Sequence, residues 1–147
     1  MPERRATALV SCGPFVIARL TGLALPDAER ALLRYAPHWA RRNADDTVSV
    51  QDSAIIATLR DLGFCCQTYA ARPATVRCWA EWSRRIAEPV VLSIPGHVLL
   101  ARRGFIIDNA HPRGCPGREH PDRALMVRLA ARVALPSAKA SAGRGDT

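Results

Sequence analysis

The sequence predicts an α+β fold, with helices first and an antiparallel β-sheet second. Three observations carry that expectation. Apolar residues recur at helical spacing up to Ile86, and from Val90 they recur at every second position. Two turn-type dipeptides, Pro95-Gly96 and Arg103-Gly104, separate the later runs. Regularly alternating strands and helices would instead suggest a parallel sheet, and the chain lacks that rhythm.

The first helix reads as Gly13–Leu20, with Pro14 in a first-turn position and Thr21-Gly22 as its stop. This reading places Cys12 at the helix N-terminus. The second helix starts at Pro26 and buries Ala28, Ala31, Leu32 and Tyr35 on one stripe, until Pro37 stops it. "HWARRNADD" then reads as a polar connection. Ser49 is the expected N-cap of helix three, with Asp52 three residues on in the capping-box position. Ile55, Leu59 and Leu62 form its stripe and Gly63 its C-terminal cap. "FCCQTYA" reads as a short strand. Thr75 caps helix four, whose Val76, Trp79, Ser83 and Ile86 face inward with Trp82 beside them, and Pro89 ends it. Val90–Ile94, His97–Ala101 and Phe105–Asp108 are three strands, and Val127–Leu135 reads as a fourth, although Arg128 and Arg132 at i, i+4 also fit a helix. "NAHPRGCPGREH" reads as a Pro/Gly-rich surface loop. Residues 1–135 thus form one domain, and Pro136–Thr147 is expected to be a flexible tail of small and polar residues.

Composition narrows the class. The chain has 147 residues, 48% hydrophobic and 23% charged, which suits a soluble domain with one core. No apolar run reaches the ~18 residues that a membrane span needs. No signal peptide is read at the N-terminus, so a cytoplasmic setting and no membrane partner are expected. Five cysteines, Cys12, Cys65, Cys66, Cys78 and Cys115, make an odd count without secretory context, which argues against a disulfide framework. His111, Cys115 and His120 form a loose cluster without metal-site spacing, so neither a metal nor any other cofactor is expected. The net charge of +8 is almost all arginine, in scattered pairs and with only 5% aromatic residues. No basic run interleaves aromatics, so no sequence-specific nucleic-acid partner is expected. Diffuse attraction to polyanions follows from charge alone.

The chemistry concentrates on Cys12, His97 and Asp108. A cysteine nucleophile needs an imidazole to take its proton, and the imidazole needs a third group to fix its tautomer. At a helix start the macrodipole would also favour the thiolate. Hairpin parity selects the third group. With Arg103-Gly104 as a two-residue turn, Arg102 faces Phe105 and Ala101 faces Ile106, so Asp108 shares a face with His97. A bulge or an extra loop residue would reverse the parity and hand the role to Asn109.

"SCGPFVIARLTG", "GHVLLARRGFIIDNAHP" and the T-x-x-x-W helix between them resemble papain-like cysteine peptidase domains. They are most similar to small papain-fold proteins encoded by bacteriophages, over roughly residues 7–112. The resemblance implies a papain-like fold and thiol-dependent peptidase, isopeptidase or acyl-transfer chemistry on a peptide or protein substrate. It also implies a host-cytoplasm or virion setting. Papain-type enzymes carry a glutamine before the cysteine as an oxyanion donor. Here that stretch offers Thr7, Ser11 or backbone N–H groups, including that of Cys12. The alternative is a catalytically silent papain-fold module with a virion or host protein as partner.

Overall fold

The computed structural model describes residues 2–38, 40–69 and 74–134, with side chains from residue 12 onward. Among these residues the fold is α+β: four helices, a two-stranded hairpin and a six-stranded antiparallel sheet. The elements are α1 (Pro2–Thr21), α2 (Leu25–Tyr35), β1 (Ala40–Arg42), β2 (Val48–Val50), α3 (Asp52–Asp61) and β3 (Cys65–Tyr69). They continue as α4 (Val76–Ser83), β4 (Val90–Ile94), β5 (His97–Arg102), β6 (Phe105–Asp108), β7 (His111–Pro116) and β8 (Leu129–Ala134). The large sheet runs β3-β8-β4-β5-β6-β7.

Both faces of the sheet are covered. Val91, Val98, Leu100 and Ile107 pack with residues of α1, α2 and α3 in one core. Val90, Leu92, Leu99 and Ile106 pack with Val76 and Trp79 of α4 in the other. This is why β4 is buried at all five positions and reads as a continuous apolar run. Each fully buried leucine or isoleucine contributes roughly 2 kcal/mol of transfer free energy to this packing. Tyr69, Trp79 and Trp82 meet as mutually tilted or edge-on rings 5.3–5.6 Å apart, which closes the α4 side.

Several expectations are corrected. Helix α1 begins at Pro2, not Gly13, because the run before Cys12 is rich in helix formers. Pro14 lies inside the helix, where it removes one backbone N–H donor. Cys12 is therefore in the middle of α1 and has no helix-start dipole to use. Ser49 belongs to β2, and the residue preceding α3 is Gln51. The "HWARRNADD" stretch supplies β1 of a hairpin turned through Asp46, which holds φ 70°. The Pro/Gly-rich loop contains β7, an edge strand that tolerates Pro112 because its outer side needs no donor. Thr75 does cap α4, accepting the Cys78 N–H at 3.2 Å. The segment Pro136–Thr147 lies outside the described residues.

Gly13 shows how α1 is seated. A Cβ there would stand 2.4 Å from the Val50 Cγ2 methyl, so only glycine lets the helix lie this close to β2. Gly13→Ala is expected to destabilise the fold by roughly 1–3 kcal/mol through overpacking, despite alanine's better helix propensity. Urea unfolding checks this, and a stabilised variant would contradict the seating.

Candidate active site

Helix α1 packs across β5, and this contact brings Cys12 to the first residues of that strand. The Val98 N–H donates to Cys12 Sγ at 3.3 Å. On the adjacent residue, His97 Nε2 meets Asp108 Oδ2 at 3.1 Å. The Cys12 side chain acts on the same imidazole by hydrogen bonding and charge. With Nε2 committed to the carboxylate, the other ring nitrogen, Nδ1, is buried without a hydrogen-bond partner. Cys12, His97 and Asp108 are thus brought to one place, the carboxylate on His97 Nε2 and the sulfur on the N–H of the next residue, Val98.

The hairpin does the alignment. Observed pairs are Arg102–Phe105, Ala101–Ile106 and Leu100–Ile107, the register of a two-residue turn. The irregularity falls instead between β6 and β7, next to Asp108. Asn109 is exposed in the turn that follows.

Asp108 is 2% exposed and surrounded by donors. Oδ2 bonds His97 Nε2 at 3.1 Å and His120 Nε2 at 2.9 Å. Oδ1 accepts the His111 backbone N–H at 2.7 Å and bonds His111 Nδ1 at 2.9 Å. Four donors match the four acceptor sites of an ionised carboxylate. Burial pushes this carboxyl up, but hydrogen bonds from His120, His97 and His111 outweigh it and hold it well below the usual range. For His97, burial pushes the ring down, while its bonds to Asp108 and Cys12 win and raise it to about 9. The Asp108 carboxylate on Nε2 thus favours the protonated form of this buried ring.

His111 and His120 lie in the stretch whose sequence predicts a surface loop. His120 is buried at 1% exposure in an irregular turn, so no periodicity marks it. Its Nδ1 accepts the Asp122 N–H at 3.0 Å. That bond places a lone pair on Nδ1 and, in neutral imidazole, the proton on Nε2 facing Asp108. Asp108, His111 and His120 could gather their ligand atoms within 4.8 Å. The tautomer opposes a metal there, since a protonated Nε2 has no lone pair to give, and both carboxylate oxygens already take two donors. Cys115, the third residue of the loose cluster, points its thiol to the Pro116 carbonyl instead. No disulfide joins any of the five cysteines.

Other expectations change here. Cys12 and His97 are 0% and 8% exposed, so the sulfur is enclosed by its surroundings. The Cys12 N–H lies within the helical ladder, whose carbonyls take such donors, and this removes it as an oxyanion donor. The side chains of Thr7 and Ser11 lie outside the described residues. No family model, curated protein or solved structure matches the chain. Among the described residues, no helix is long and apolar enough to cross a membrane.

Proposed function

We propose that this protein is a papain-like thiol hydrolase or acyl transferase, of bacteriophage origin, acting on peptide or isopeptide bonds of a protein substrate. The observation that carries the reading is the single imidazole of His97 engaged by both Cys12 and the four-donor carboxylate of Asp108. In this reading the proton of Cys12 resides on His97. The thiolate attacks the carbonyl carbon, forming a C–S bond and a tetrahedral oxyanion. His97 Nδ1–H then protonates the leaving nitrogen as the C–N bond breaks. Water, or an amine in a transferase, attacks the thioester while His97 takes its proton, and Cys12 leaves as thiolate. Asp108 keeps Nε2–H oriented throughout and stabilises the imidazolium. No step calls on a cofactor.

The enclosure of Cys12 supports a second reading, a catalytically silent papain-fold module that contacts a virion or host protein. Iodoacetamide labelling at pH 6 with peptide mapping separates the two, since Cys65 is an exposed internal standard and Cys78 an exposed thiol that hydrogen bonding to Thr75 pushes below its ordinary value. The enzyme reading expects Cys12 to be modified ahead of both. Labelling of Cys65 and Cys78 with Cys12 left intact would favour the silent module.

A further inference from the structure

Arginines that look scattered in the sequence converge at the end of the β5–β6 hairpin remote from His97. Arg77 and Arg84 come from α4 and its C-terminus, Arg103 from the β5–β6 turn, and Arg118 from the turn after β7. They line a cleft of about 260 Å³ whose one acidic member is Glu81. Glu81 lies 3.6 Å from Arg84 and Glu119 lies 3.9 Å from Arg118, all four side chains largely exposed, so Arg77 and Arg103 leave the cleft net positive. The six residues of β5 separate it from the thiol site by about 20 Å.

Two features mark this cleft as built. Its walls are locked: Ser83 Oγ accepts the Gly104 N–H at 3.0 Å and donates to the Ala80 carbonyl at 2.6 Å. The Gly117 N–H donates to the Gly104 carbonyl at 3.0 Å, and a Cβ on Gly117 would stand 2.3 Å from Ala80 Cβ. Arg103 and Gly104 hold φ 54° and 88°, both left-handed, as a type I′ turn demands. Asparagine or glycine satisfies the first of these positions with less strain than arginine. The strained residue carries its guanidinium at the cleft. Phe105, 47% exposed, adds an apolar ring to the same wall.

We propose that this cleft binds single-stranded nucleic acid, holding phosphates by its guanidiniums and stacking a base on Phe105 without reading sequence. The exposed ring favours a nucleic acid over an acidic peptide, because bases have planar faces to stack and carboxylate side chains have none. The attraction is independent of Cys12 chemistry.

The test is fluorescence anisotropy with a labelled oligothymidylate of about 12 nucleotides, across a salt series, using the full chain. Binding should weaken with salt along a log–log slope of about −0.7 per phosphate contacted. Arg103→Asn relaxes the turn, so folding should survive, yet affinity should fall several-fold and the slope should flatten by about 0.7. Phe105→Ser should weaken binding with the slope unchanged. Arg41→Gln, an equal charge change on β1, should leave affinity nearly constant. Equal losses from Arg41→Gln and Arg103→Asn would overturn the proposal, by showing attraction to net charge alone. Competition by oligoglutamate as effective as by unlabelled oligothymidylate would also overturn it, in favour of an acidic peptide. Cys12→Ala should bind like the parent, so failure of the thiol reading would leave this result standing.

Discussion

Asp108→Ala is expected to lower the free energy of unfolding by about 3–5 kcal/mol, the range for removing one partner of a buried charged network. Its carboxylate is 2% exposed and takes four donors, two of them from the buried rings of His97 and His120. Alanine leaves those donors facing one another without an acceptor or solvent. Asn109→Ala, at the exposed neighbour, should change stability by less than about 0.5 kcal/mol. Equal effects from the two substitutions in urea unfolding would contradict the hub. The pH dependence has a definite sign. His97 is raised from 6.5 to about 9, so its contribution is complete below pH 6.5 and is lost as pH climbs through 9. Asp108 is lowered from 3.8, so its contribution is present above that value and is lost as pH falls below it. Both limbs should flatten in Asp108→Ala.

His97→Gln is expected to slow Cys12 alkylation at pH 6 by roughly 100-fold. An ordinary thiol with pKa about 8.5 is ionised only to about one part in 300 at that pH. A thiolate paired with imidazolium is fully ionised, and its weaker nucleophilicity returns a few-fold of the advantage. Glutamine keeps much of the ring's volume, so a lost rate reports lost charge pairing more than a collapsed site. An unchanged rate would mean that the imidazole does not activate the sulfur.

Local chemistry made part of this site legible. Pro95-Gly96 and Arg103-Gly104 marked the two turns that join β4, β5 and β6, with β5 running one residue past its expected end to Arg102, and a two-residue turn fixes parity. Arg102 opposite Phe105 therefore followed from counting. The α+β layout followed from the change of period at Val90. The start of α1 was hidden because Pro14 imitates a first-turn proline while lying inside a helix. The burial of Cys12 depends on α1 packing on β5 and on Gly13 meeting Val50, contacts far apart in sequence. His111 and His120 reach Asp108 through the β6–β7 hairpin and an irregular turn, which leave no periodic trace.

The most direct test of the Cys12–His97–Asp108 arrangement is the titration of the His97 ring, followed by nitrogen-15 NMR in the protein and in Cys12→Ala. Ring signals do not depend on reagent access, so the enclosure of Cys12 does not confound them. The expected result is a ring that stays protonated through neutral pH and loses its proton near pH 9, and at lower pH once Cys12 is removed. A ring that titrates near pH 6.5 and is unmoved by Cys12→Ala would contradict the arrangement.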